Sequence, residues 1–213
     1  MASATPSQPP VDKRRQILDA AVHVFARQGF HTCRVSDIAD EAGVAYGLVY
    51  HYFDSKDEIL DTLFSERWQV LLDVIAEIER GDDPVREQLR AIVSFIVDSY
   101  VHDPDLMKVI IVEVTRAANT FGRTHLNEIR EAYEGIARIV ERAQRRGALR
   151  SDISPQFAAM AFYGAIEQAL TGWIFDLLPT GAGDHDDVKR YIVEAICGGL
   201  ELRAGEASSA PAL

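Results

Sequence analysis

The sequence predicts an all-α fold of about nine helices, and three observations carry that prediction. Apolar residues recur every three to four positions through most of the chain, the period of a helix packed on one side. Gly, Pro, Asp and Ser fall between those stretches, where helices stop and start. No run alternates with the period of two that a half-buried strand requires, and there is no internal repeat. Of 213 residues, 47% are hydrophobic and 26% charged, enough apolar material for a sizeable core.

A first helix is predicted over residues 16–28, where Ile17, Ala20, Ala21, Val24 and Phe25 form one stripe. Gly29 stops it, because glycine tolerates the left-handed closing conformation. Two short helices follow, over 36–42 and 45–53, with Gly43 between them. Asp54 and Ser55 then open a long amphipathic helix over 56–80, a rod of about 37 Å. Gly81, Asp82, Asp83 and Pro84 form the next stop and start, and helices are predicted over 84–101, 104–118 and 121–146. Gly147 ends the last of these after Arg142, Arg145 and Arg146, cations suited to a negative helix end. Ser154 and Pro155 open a helix to residue 178, and a loop over 179–185 leads to a final helix over 186–203.

This pattern divides the chain into a disordered tail (1–11), a three-helix helix-turn-helix domain (12–58), a larger helical domain (59–203) and a flexible tail (204–213). Residues 1–11 lack the basic start and apolar run of a secretory leader. The longest uncharged stretch, 153–166, has 14 residues, short of the roughly 18 that a membrane span needs. Cys33 and Cys197 stand far apart without metal-ligand spacing, which fits a reducing cytoplasm. The expectation is a cytoplasmic protein with no membrane partner and no cofactor. His102, His125 and the run Asp184-His185-Asp186-Asp187 lie in separate segments or a charged loop, so no metal site is expected. No GxSxG, HExxH, phosphate-cradling glycine loop or catalytic pair is present, so an enzyme is not expected.

The informative constellation is residues 29–60, GFHTCRVSDIADEAGVAYGLVYHYFDSKDEIL. Two helices this short are not stable alone. The turn at Ala42-Gly43-Val44 fixes their crossing, so the second projects as a reading element suited to the major groove of B-DNA. Gly47 keeps one face of that element slim, while Tyr46, Tyr50, His51 and Tyr52 offer hydrogen-bonding tips. Over residues 12–60 six Lys and Arg stand against eight Asp and Glu, within a net charge of −11 for the whole chain. Contact geometry therefore matters more here than bulk charge. Lys13-Arg14-Arg15 reads equally well as a solvated helix start or a DNA-contacting arm.

This segment resembles the TetR family of ligand-responsive bacterial repressors. The residues that carry the resemblance are Gly29-Phe30, Val35, Asp37-Ile38-Ala39, Ala42-Gly43-Val44, Gly47, Val49-Tyr50-His51-Tyr52-Phe53, Lys56 and Glu58-Ile59-Leu60. It implies that Tyr50, His51 and Lys56 bind phosphates of double-stranded operator DNA, and that Tyr46 faces bases. Two positions depart from the family pattern. Cys33 and Arg34 stand where a hydroxyl residue is usual, and Ala45 stands where the reading helix usually has a Ser or Thr cap. A lost capping oxygen costs about 0.5–2 kcal/mol, part of which Arg34 can offset by contacting phosphate directly.

In the larger domain Phe95, Tyr100, Met107, Ile111, Tyr133, Phe162 and Trp173 are candidates to line a cavity. Aromatics and methionine at helical spacing are more often plain core, and it is the resemblance that implies a small-molecule site in this layer. Glu113, among apolar neighbours, either pairs with Arg116 or serves as a polar group in the pocket. The segment 163–175, YGAIEQALTGWIF, is similar to the corresponding helix of fatty-acid-responsive family members, which implies a small hydrophobic effector such as an acyl chain or acyl-CoA. A flat aromatic or cationic drug, as in multidrug-type sensors, is the alternative. The last two helices are apolar on more than one face and must be covered; the resemblance implies a homodimer formed through them. A helical interaction protein that does not bind DNA is the remaining reading.

Overall fold

The computed structural model describes residues 12–116, 125–180 and 183–200. Both expected tails, the helix start near residue 121 and the side chains of Glu113 and Arg116 lie outside the described residues. Within them the chain is all helical: α1 (Lys13–Gln28), α2 (Val35–Glu41), α3 (Tyr46–Tyr52), α4 (Lys56–Arg80), α5 (Val85–His102), α6 (Pro104–Arg116), α7 (Leu126–Arg145), α8 (Pro155–Ile174) and α9 (Asp184–Leu200). No described helix is long and apolar enough to cross a membrane.

Two hydrophobic cores organise these helices. The smaller joins α1, α2, α3 and the start of α4 around Ile17, Leu18, Phe25, Ile38, Val49, Phe53 and Ile59. The larger lies among α4 to α9 and includes Phe64, Leu89, Ile92, Ile136, Phe162 and Val193. Helix α4 belongs to both, contributing Leu60 and Leu63 to the first and Trp68, Leu71 and Ile75 to the second. Helix α6 bridges them as well. Val109 is buried in the smaller core while Met107 and Ile110 sit in the larger, because successive helical positions turn to different sides.

Local chemistry sets the boundaries. Helix α1 starts earlier than its apolar stripe because the Asp12 carboxylate accepts from the backbone N–H groups of Arg14 and Arg15. Ser55 caps α4 by accepting from the Glu58 amide at 3.1 Å. Helix α8 stops at Ile174, four residues short of the expected end. Asp176 adopts a left-handed φ of 55°, and the amides of Leu177 and Leu178 both bond back to the Gly172 carbonyl. The chain thus folds Leu178 over Gly172, where an added Cβ would lie 2.7 Å from the leucine side chain.

The basic end of α7 serves its neighbour as well as itself. Arg142 donates to the Glu79 and Gly81 carbonyls at the end of α4, Arg138 forms a two-pronged bond to the Glu79 carboxylate, and Arg146 pairs with Asp82. Gly135 lets the two helices approach closely, since a Cβ there would be 2.6 Å from the Ile75 Cγ2 methyl.

Candidate nucleic-acid interface and ligand cavity

The reading element is placed by the turn that the sequence predicts. Gly43 takes a left-handed φ of 62°, and the Val44 amide bonds to the Ala39 carbonyl at 3.0 Å. Val49 is buried beneath α3, so the other side of that helix faces outward. Tyr46 is 54% exposed and Tyr50 44%; Ala45, Gly47 and His51 are exposed beside them. The Tyr46 and Tyr50 hydroxyls are hydrogen-bonded at 3.2 Å, and the rings meet edge to face at 5.2 Å. The pairing with Tyr46 is the main cause holding the Tyr50 hydroxyl above its ordinary pKa. Ala45 supplies no side-chain oxygen to the first amides of α3.

Arg34 is exposed at the start of α2. Its backbone N–H is held by the Asp37 carboxylate at 2.8 Å, which orders the helix start without a hydroxyl cap. Lys56 faces the fold rather than solvent alone: its ammonium donates to the Phe30 and Cys33 carbonyls and lies 4.5 Å from the Phe30 ring centroid. It therefore ties the α1–α2 connection to the start of α4 and keeps one N–H for an outside acceptor. Arg14 and Arg15 are engaged within the protein. Arg14 pairs with Glu66 at 2.8 Å and Arg15 with Asp19 at 2.9 Å, so this cluster holds α1 to α4.

The larger domain holds a partly open cavity of about 430 Å³, within the range of small-molecule sites. Its wall is largely apolar and comes from five helices, α4 to α8. Of the candidates read from sequence, Phe95, Met107, Ile111 and Tyr133 line it. Tyr100, Phe162 and Trp173 do not. Phe162 is wholly buried in the core, and Trp173 stacks on Tyr100 at 5.5 Å and meets His185 edge to face at 4.5 Å. Those rings close the α5–α8–α9 junction.

Sequence reasoning missed the polar residues of the wall, which include Arg67, Tyr163 and Glu167. A signal for two of them was present. Arg67 falls on the apolar stripe of α4 with Leu60, Phe64 and Leu71, and Glu167 falls on that of α8 with Tyr163 and Leu170; a charge on such a stripe faces inward. Burial, reinforced by the Glu167 charge, pushes both the Tyr133 and Tyr163 hydroxyls above their ordinary range. They meet edge to face at 5.3 Å and form, with Glu167, one polar side of the cavity. Arg67 lies over Phe95 on another, and desolvation lowers its pKa. No group of three side chains able to hold a metal ion comes together among the described residues.

The family model for bacterial regulatory proteins of the tetR family matches residues 17–63. The model for the tetracyclin repressor-like C-terminal domain matches residues 84–196. A fatty acid metabolism regulator protein of Bacillus subtilis is 32% identical over 165 residues, covering 77% of this chain and 84% of the relative. Among solved structures, the fatty acid degradation regulator FadR from Bacillus halodurans superposes with a TM-score of 0.78 at 26% identity, over 93% of this chain and all of that one (100%). FadR from Bacillus subtilis, solved in complex with stearoyl-CoA, gives 0.78 at 24% identity over 88% and 99% of the two chains; at that identity the likeness speaks for the fold. With both its reading head and its sensor domain matched, the chain belongs to the TetR family of transcriptional regulators.

Proposed function

We propose that the protein is a cytoplasmic, homodimeric repressor that leaves its operator when an acyl chain or acyl-CoA fills the cavity. The observation that carries this reading is the largely apolar, partly open cavity of about 430 Å³, walled in part by α4 and α6, which also reach the core of the reading head. Similarity to regulators of fatty acid metabolism supports the ligand class. At the interface, Tyr50, His51, Arg34 and Lys56 meet phosphates, and Tyr46 faces base edges past the slim surface at Ala45 and Gly47. The proposed domain division at residue 58 falls inside α4, whose Ile59, Leu60 and Leu63 still belong to the smaller core.

Release follows from the shared elements. A ligand packed against Met107, Ile110 and Ile111 pushes on α6, whose Val109 is seated in the core of the reading head. The same ligand contacts Trp68 and Leu71 of α4, the helix that begins at the reading head. Displacing either changes the separation of the two α3 helices in a dimer, which must match successive grooves about 34–36 Å apart. Ligand and DNA then oppose each other reciprocally.

The test is displacement of the protein from the DNA upstream of its own gene, followed by gel shift. Palmitoyl-CoA and stearoyl-CoA are expected to release it at micromolar concentration, whereas flat aromatic cations are not. Release by the cations alone would transfer the reading to a drug sensor, with Glu167 as counter-charge to the ligand. Absence of any shift with the upstream DNA would overturn operator binding.

A further inference from the structure

Most arginines in this structure are paired. Arg14 meets Glu66, Arg138 meets Glu79, Arg146 meets Asp82 and Arg190 meets Asp187. Arg67 is different. It is half-buried in the cavity wall, and among the described residues its guanidinium makes no hydrogen bond or ion pair; its contact is the face of Phe95, 5.3 Å away. A cation withdrawn from water costs free energy unless an anion or acceptor meets it.

Arg67 also lines a second hollow, outside the cavity, between α1, α4 and α6. It is therefore the residue at which cavity and groove meet. Two acids of that groove are paired, Asp19 with Arg15 at 2.9 Å and Glu66 with Arg14 at 2.8 Å. Asp103 accepts from the Leu106 amide at 3.0 Å as the cap of α6, and its charge acts on Arg67 across the groove without a hydrogen bond or ion pair to the guanidinium. The guanidinium donors therefore remain available to an anion at the junction.

We propose that Arg67 binds the anionic head group of the effector, with the hydrocarbon tail in the cavity and the head at the junction with the α1–α4–α6 groove. This rests on the acyl reading above and adds the anchoring group and the direction in which the ligand lies. The head then sits against the helices that hold the reading element, so its charge is sensed where sensor and reading head join. A carboxylate and the phosphates of a coenzyme A thioester share this chemistry, and both satisfy the donors of a guanidinium.

The experiment measures binding of laurate, lauroyl-CoA and 1-dodecanol, with the palmitate series in parallel, to the full chain and to Arg67→Met and Arg67→Lys. Circular dichroism and cooperative thermal unfolding report that each variant is folded. The parent protein is expected to prefer an anionic head over the alcohol by about tenfold or more. Arg67→Met should bring that ratio near one, and Arg67→Lys should restore part of it. Preference for laurate assigns a carboxylate to Arg67, and preference for lauroyl-CoA assigns the coenzyme. If all chains bind but the ratio is unchanged in Arg67→Met, the anchor is overturned while the acyl reading stands. If no chain of either length binds, both are overturned.

Discussion

Tyr46 and Tyr50 form a hydrogen-bonded pair on the outer side of α3, next to an exposed His51 and an Arg34 whose side chain projects from the neighbouring helix start. In an acidic chain these groups give geometry-dependent contacts, with Arg34 the exposed formal charge among them. Arg34→Ala is therefore expected to weaken operator binding and to lower the salt slope of log Kd by about one, the signature of one lost phosphate contact. Titration by fluorescence anisotropy at several salt concentrations measures both. An unchanged slope would show that Arg34 does not touch DNA. Lys56 differs in kind, since its ammonium is already bound to the Phe30 and Cys33 carbonyls; its substitution is expected to disturb folding as well as the proposed phosphate contact.

Between elements, α4 and α7 approach closely at Gly135. Gly135→Ala places a methyl group within 2.6 Å of a branched Ile75 carbon that is 2% exposed, so the helices must separate. Overpacking of this kind costs about 1–3 kcal/mol, against a gain of about 1 kcal/mol from helix propensity; the net expectation is a lower thermal midpoint. The Glu79–Arg138 bond at the same contact, Nε to Oε1 at 2.7 Å, holds the Glu79 carboxyl below its ordinary 4.5, with burial opposing. A group depressed by folding contributes stability that is complete above its unfolded value and is lost as pH falls through the folded one. Glu79→Gln should therefore lower the midpoint at neutral pH and flatten its decline below about pH 5. Both side chains are partly exposed, so the effect is modest and screened by salt.

Most of this scale was legible in the sequence, for identifiable reasons. The stripe of α1, the Gly43 turn and the Ser55 and Ser154 caps are local, and each lies where the sequence predicts it. The end of α8 was not legible, because the apolar run continues through Leu177 and Leu178 while the helix is stopped by a tertiary fold-back onto Gly172. In the cavity wall, Phe95, Met107, Ile111 and Tyr133 could not be told from Phe162 and Trp173 by spacing. All are apolar positions on packed helices, and only the arrangement of five helices decides which of them faces the space. The C-terminal end of α7 shows the same limit. Its basic turn reads as a self-contained cap, whereas Arg142 spans to the carbonyls of α4.

At the scale of the whole molecule, α8 and α9 present two unlike sides. Phe162, Ile166, Trp173, Ile192 and Val193 are buried, while Phe157 (65% exposed), Met160 (59%), Leu177 (71%) and Tyr191 (54%) face outward. Exposed apolar side chains on α8, on α9 and in the turn after α8 suit burial by a partner, and the proposed homodimer would cover them with the same surface of a second copy across a two-fold axis. Light scattering should give twice the chain mass of 23.6 kDa. The double substitution Phe157→Glu, Met160→Glu should shift it toward the single mass and abolish operator binding while α1–α3 remain folded. A monomeric parent protein would contradict the dimer.

The two cores, joined by α4 and α6, amount to one claim: the cavity and the reading helix share a single equilibrium. That claim is measured by the affinity of an acyl-CoA for the free protein and for the protein saturated with operator, set beside the affinity of operator with and without the same ligand. Operator is expected to weaken acyl-CoA binding by the same factor by which acyl-CoA weakens operator binding. Equal acyl-CoA affinity for the free and DNA-bound forms would contradict it.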